Sequence, residues 1–229
     1  MINIIFDFDG TLFNSLDGIY AAYSLSCNRI GCSAVNKSCF ARHIGPPIFY
    51  IAQNLHPELS IDDLNKFVSC FRNFYDRYFY TRSSPYQYVD KLLSFLCESV
   101  EFNSINVVTN KPTLPTRNLL SEYKLFGYFD KVIGIDYLHT INDGVSFQSK
   151  SAAILYLKSL FPDNDLPYFY VGDTSSDQKA ALESDCRFIA VSYGYYDWSQ
   201  SNTQPSLIAN SITELTSLFT SLCINSISF

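Results

Sequence analysis

With 229 residues, 47% of them hydrophobic and including 19 Phe and 17 Tyr, the chain carries enough apolar side chain to bury a substantial core, which argues against disorder. Its formal net charge of −6 argues against broad, nonspecific binding to nucleic acid, which needs a basic surface, but is compatible with a small anionic substrate met by local positive charge. Seven scattered cysteines (Cys27, Cys32, Cys39, Cys70, Cys97, Cys186, Cys223), odd in number and without a Cys-x-x-Cys pair, give poor support for a zinc site or a disulfide framework.

No basic region precedes Asp7 to suggest a secretory signal, and no apolar run is long enough to span a bilayer. A soluble, cytoplasmic protein with reduced thiols is the expectation, with no nucleic-acid or membrane partner.

Residues 2–8 read as a short buried strand, because Ile4-Ile5-Phe6 is continuously apolar. From Leu16 the period changes. Leu16, Ile19, Tyr20, Tyr23, Cys27 and Ile30 share one helical face, and Gly31 stops the helix. Residues 36–55 read as short helical pieces broken at Gly45-Pro46-Pro47. Residues 60–80 read as one helix capped by Ser60, with Leu64, Phe67, Phe71, Phe74 and Tyr78 along its core face.

From residue 88 onward helix and strand alternate. Helices are expected at 88–99, 112–124, 149–160 and 175–183, and strands at 104–109, 131–135, 168–171 and 187–191. Residues 198–205 read as a loop, and a final helix spans 212–222 with Ser211 and Glu214 at capping-box spacing. This alternation predicts an α/β, Rossmann-like parallel sheet with helices on both faces. Residues 1–14 and 83–229 form that core, and 15–82 form an all-helical insertion.

In open parallel sheets, ligands bind at the carboxyl ends of the strands. The first strand delivers Asp7 and Asp9, the strand ending at 109 delivers Thr109, Asn110 and Lys111, and the strand ending at 171 delivers Gly172, Asp173 and, a turn later, Asp177. Lys150 starts the helix before that strand. Each residue has an ordinary reading as well: Asp9-Gly10 as a turn, Thr109 as a cap, Lys150 and Asp177 as solvated charges on helices. Charge at the end of a buried strand needs compensation, however, and four strand-end sites in one order form a specific pattern.

That pattern resembles the haloacid dehalogenase-like hydrolase superfamily, and within it the phosphoglycolate phosphatase-like branch. The resemblance rests on Asp7-Phe8-Asp9-Gly10-Thr11, on Val107-Val108-Thr109-Asn110-Lys111-Pro112, on Lys150, and on Gly172-Asp173-Thr174-Ser175-Ser176-Asp177. It implies a phosphatase acting on a small phosphorylated metabolite: phosphoglycolate, a sugar phosphate or a nucleotide. Asp7 would be the nucleophile that forms an aspartyl-phosphate, and Asp9 the general acid and base. Gly10, Thr109, Asn110 and Lys150 would bind the phosphoryl group, and Arg42 would meet an anionic substrate. Mg²⁺ would be held by Asp7, the Asp9 backbone carbonyl and Asp173, with Asp177 completing or orienting that shell.

The resemblance makes the helical insertion a cap domain and the assembly a monomer or homodimer. Two positions depart from the branch: Asn14 stands where relatives often have Asp, and Tyr86-Gln87-Tyr88-Val89 where they often have Tyr-Pro-Gly-Val. Neither departure removes a chemical group. A β-phosphoglucomutase-like phosphotransferase and a catalytically silent binding protein are the alternative readings.

Overall fold

The computed structural model describes residues 1–142, 144, 146–161 and 166–225, and the side chains of these except 142 and 223–225. The thiol of Cys223 therefore lies outside the described residues, and the other six cysteines are free. In chain order the elements are β1 (Ile2–Phe6), β2 (Phe13–Asn14), α1 (Leu16–Ile30), α2 (Lys37–Ala41), α3 (Ile48–Leu55) and α4 (Ile61–Phe74). There follow β3 (Ser84–Pro85), α5 (Val89–Glu98), β4 (Phe102–Thr109), α6 (Thr113–Glu122), β5 (Lys131–Gly134), α7 (Tyr137–Asn142) and α8 (Lys150–Ser159). The chain closes with β6 (Tyr168–Gly172), α9 (Ser175–Glu183), β7 (Arg187–Val191), β8 (Ile208–Ala209) and α10 (Ile212–Asn225). None of the described helices is long and apolar enough to cross a membrane.

Six strands form one parallel sheet in the order β5-β4-β1-β6-β7-β8. β1 lies inside it because its residues are apolar on both faces. Ile4 and Phe6 pack into a cluster with α5, α6 and α10, and Ile5 into a second cluster with α8 and α9. Full burial of each such side chain stabilises the fold by about 1.5–3 kcal/mol. Register then places the chemistry. Phe6 is level with Val107 of β4 and Val171 of β6, so Asp7, Thr109 and Asp173 emerge at the same edge.

The chain leaves the sheet through β2 and returns through β3, which pair antiparallel, Phe13 with Pro85 and Asn14 with Ser84. Between them α1 to α4 enclose a third apolar cluster that includes Tyr23, Phe40, Phe67, Phe71 and Tyr75. Ser60 caps α4 as expected, its hydroxyl accepting from the Asp63 N–H at 3.2 Å.

Four local expectations need correction. The 60–80 helix is α-helical only to Phe74 and continues as a π-turn at Tyr75–Phe79. The wider turn rotates the register beyond Tyr75, so Tyr78, expected on the core face, is 61% exposed, while Tyr75 is buried and Phe74 half-buried. The stretch expected as a loop opens with a 3₁₀ turn, Trp198–Gln200, pinned by the Trp198 indole N–H donating to the Val191 carbonyl at 3.0 Å. Only half of the expected capping box forms at α10. Ser211 accepts from the Glu214 N–H, but the Glu214 carboxylate accepts from the Asn210 N–H instead. Finally β2, β3 and β8, two residues each, are too short to leave a periodicity in the sequence.

Candidate active site

Asp7 follows the last residue of β1 and continues its ladder, donating its N–H to the Val171 carbonyl at 2.9 Å. Phe8 then anchors a tight turn, its carbonyl accepting from the N–H groups of Thr11, Leu12 and Phe13. Gly10 sits at φ 84° in that turn, and a Cβ there would lie 2.2 Å from Asp173 Oδ2. Glycine is what lets the loops after β1 and β6 touch.

After β6, Asp173 is fully buried, with the Thr11 hydroxyl 3.5 Å from Oδ1 and the Tyr195 N–H donating to Oδ2 at 2.8 Å. Thr174 caps α9 in a reciprocal box: its hydroxyl accepts from the Asp177 N–H, and its own N–H donates to Asp177 Oδ2 at 3.0 Å. The box turns the Asp177 carboxylate back toward the strand ends. Lys150, the first residue of α8, donates there to Asp177 Oδ1 and lies 3.1 Å from Asp7 Oδ2.

Carboxylate oxygens of Asp7, Asp173 and Asp177 thus lie within 4.8 Å of one another, all three residues buried. Three acids face one ammonium. Burial pushes the Asp7 carboxyl up to about 7; Lys150 pulls it down and Asp177 adds to the rise. Burial, then Asp177 and Asp7, hold Asp173 well above the ordinary carboxylate range. For Lys150 burial acts against the charge, but Asp177 and Asp7 outweigh it and raise its pKa, keeping it protonated. Asp7 Oδ1 is buried without a hydrogen-bond partner. A hard divalent cation suits such a set: it prefers oxygen ligands and offsets the surplus negative charge.

Asp9 faces another way. Both its oxygens take Lys111 Nζ, at 3.0 and 3.3 Å, and the same buried ammonium donates to the Tyr75 hydroxyl on the π-turn. Asn110 donates through Nδ2 to the Gly45 carbonyl at 2.9 Å, tying β4 to the loop before α3. Between floor and roof lies a cavity of about 60 Å³. Its floor is Asp7, Asp9, Thr109, Asn110 and Lys111; its walls and roof include Ile19, Ile44, Ile48, Ile51, Phe71 and Arg72. The Arg72 guanidinium lies 5.6 Å from the Phe71 ring centroid, and among the described residues it has no hydrogen-bond or ion-pair partner.

Of the residues expected from the sequence, Asp7, Asp9, Gly10, Thr109, Asn110, Lys150, Asp173 and Asp177 meet at this edge. Arg42 does not. It is exposed, stands outside the cavity lining and lies in the field of Asp197. The cations on the cavity are Arg72 and Lys111. Arg72 and Tyr75 escaped the sequence reading for a physical reason: Arg72 sits beside the apolar stripe and reads as a solvated residue, and Tyr75, one turn after Phe71 on the same helical face, reads as packing. Lys111 was visible beside Thr109, but only the fold reveals its pairing with Asp9.

Residues 4–191 match the family model described as haloacid dehalogenase-like hydrolase. A phosphoglycolate phosphatase of Vibrio vulnificus (strain YJ016) is 25% identical over 223 residues, covering 93% of both chains. A phosphoglycolate phosphatase of Pectobacterium atrosepticum is 26% identical over 220 residues, covering 93% of this chain and 89% of its own. Among solved structures, a predicted phosphatase from Clostridium acetobutylicum superimposes with a TM-score of 0.83 at 24% identity, over 96% of this chain and 98% of the other. A haloacid dehalogenase-like family hydrolase from Streptococcus pneumoniae gives a TM-score of 0.80 at 22% identity, with the same coverage. A parallel sheet with its acids at one edge, and a family match that spans the sequence from β1 to β7, lead to one assignment: the chain belongs to the haloacid dehalogenase-like hydrolase family.

Proposed function

We propose that this chain is a Mg²⁺-dependent phosphatase that hydrolyses a short phosphate monoester through an aspartyl-phosphate on Asp7. The observation that carries the reading is the state of Asp7 itself. It is buried, one oxygen is held by Lys150, the other has no partner, and the carboxylate borders the cavity. A nucleophile needs just such a constrained but unengaged atom.

In the first step a carboxylate oxygen of Asp7 bonds to phosphorus as the ester P–O bond breaks, and Asp9 gives its proton to the leaving oxygen. In the second, Asp9 takes a proton from water as that water attacks phosphorus, and the bond to Asp7 breaks. Thr109 and Lys150 hold phosphoryl oxygens as charge redistributes. Lys111 keeps the Asp9 carboxylate aimed away from the other three acids. Asp7 and Asp173 would hold the magnesium ion with the Asp9 main-chain carbonyl; the bound cation would supply charge neutralisation for the phosphoryl oxygens. Asp177 has both oxygens engaged, by Lys150 and by Thr174, and so serves mainly to orient Lys150.

Within the substrate classes implied by the sequence, the cavity favours a short compound with a second acidic group, of the phosphoglycolate kind. The enclosed space is small, about 60 Å³, which favours a compact substrate. The roof presents Ile44, Ile48, Ile51 and Phe71 with Arg72 among them, so a second anionic group would find its partner there. A panel of phosphate monoesters scored for phosphate release, with Mg²⁺ and with EDTA, tests the reading. Release from phosphoglycolate that needs Mg²⁺ and vanishes in Asp7→Asn supports it. A folded wild type that releases nothing, or an Asp7→Asn variant that keeps full activity, overturns it.

A further inference from the structure

A second cluster of metal-ligating side chains lies in the helical segment, outside the active-site cavity. At the end of α1 the chain turns through Gly31, at φ 90°, and the N–H groups of Gly31 and Cys32 both donate to the Cys27 carbonyl. The turn sets Cys32 beside Cys27, five positions earlier. His56 ends α3 and brings its imidazole to the same point. Ligand atoms of Cys27, Cys32 and His56 all lie within 4.8 Å of one another; Cys27 and His56 are buried and Cys32 is half-buried. No spacing in the sequence announces this, because His56 joins through packing of α3 on α1.

We propose that Cys27, Cys32 and His56 form a zinc site that clips the end of α1 to the end of α3. Ligands about 2.3 Å (sulfur) and about 2.0 Å (nitrogen) from a tetrahedral ion lie about 3.5 Å apart, and Cys27 Sγ is 3.5 Å from His56 Nε2. The other ring nitrogen, Nδ1, lies 3.4 Å from a Glu58 carboxylate oxygen. A carboxylate behind a ligating histidine is the usual outer partner, fixing the tautomer that points the Nε2 lone pair inward. Tyr23 Oη, 2.9 Å from Nε2, or a water completes the fourth position. Two sulfurs and one imidazole select zinc over magnesium, whose hard oxygen ligands are at the sheet edge. Burial pushes the Cys27 thiol up to about 12, so the sulfur keeps its proton until a cation replaces it. Binding releases the protons of both thiols to solvent. The clip acts on the roof, since α1 carries Ile19 and α3 carries Ile48 and Ile51.

The test is metal content of the full chain, purified under reducing conditions from zinc-supplemented medium. About one zinc per chain is expected, with a cobalt-substituted form showing thiolate-to-metal charge-transfer absorption. Asp173→Asn should keep that zinc, which separates the site from the carboxylate cluster. Cys32→Ser, at a half-buried position that tolerates the change, should weaken zinc binding by about 100-fold or more, given that loss of an outer partner alone costs about 10–100-fold. His56→Gln gives a second variant should Cys32→Ser fail to fold. The site is wrong if the wild type carries no zinc and no cobalt charge-transfer band, if Cys32→Ser binds zinc as tightly as wild type, or if Cys27 and Cys32 are recovered as a disulfide without metal.

Discussion

The floor and the roof of the cavity are built on opposite principles. The floor is polar: Asp7, Asp9, Thr109, Asn110 and Lys111 line it, and around Asp7 the buried Asp173, Asp177 and Lys150 leave almost every oxygen partnered. The roof is mostly apolar, with one guanidinium, Arg72, that makes no hydrogen bond or close ion pair among the described residues and lies in the field of Asp76. A floor of this kind fixes which bond is broken, because preorganised charge acts on the reacting group whatever else the molecule carries. A roof of this kind fixes which molecule is accepted, because an unpaired cation in an apolar wall rewards only a ligand that brings an anion to it.

Substitutions can break that division. The largest effect belongs to the floor: Asp7→Asn is expected to lower kcat by about 10⁴-fold or more for every substrate, with the circular dichroism spectrum unchanged. A variant that stays selectively active on one substrate would contradict the division. Next comes Lys150→Met, which leaves buried carboxylates without their ammonium. Chemical denaturation in EDTA should show a loss of about 3–5 kcal/mol, much of it recovered with Mg²⁺.

Arg72→Gln probes the roof. The KM for phosphoglycolate should rise about 10–100-fold, the loss of a charge-assisted hydrogen bond, while kcat/KM for ethyl phosphate stays within about twofold of wild type. Equal losses on both substrates would place Arg72 with the floor. The smallest effect is a pH dependence. The Asp7 carboxyl is raised from the ordinary 3.8 to about 7, so its contribution to stability is full below 3.8 and is lost as pH rises through 7. Without metal, melting temperature should therefore fall across that window, and the stabilisation by added Mg²⁺ should grow as pH increases.

The same contrast explains what could be read from the sequence. The floor was legible because its groups are tied to strand ends: Ile4-Ile5-Phe6 declares a strand, and Asp7 must follow it. Asp173 and Asp177 stand four apart after β6, where a helix start turns both to one edge. The roof was not legible, because its residues are placed by the packing of one helix on another. Arg42 was the cation expected at the substrate, and the packing of α4 on α1 brings Arg72 to the cavity instead. Tyr75 reads as core packing until the fold brings Lys111 to its hydroxyl, and Asn110, expected at the phosphate, donates its amide to the loop above it.

Lys111 ties the helical insertion to the sheet edge. One ammonium bridges Asp9 and the phenol of Tyr75, and Tyr75 is anchored in the insertion while Asp9 is anchored in the sheet. A displacement of the π-turn therefore shifts the ammonium that holds the Asp9 carboxylate, so the helical insertion and the sheet edge are joined through one side chain. A substitution at Lys111 would loosen both attachments at once.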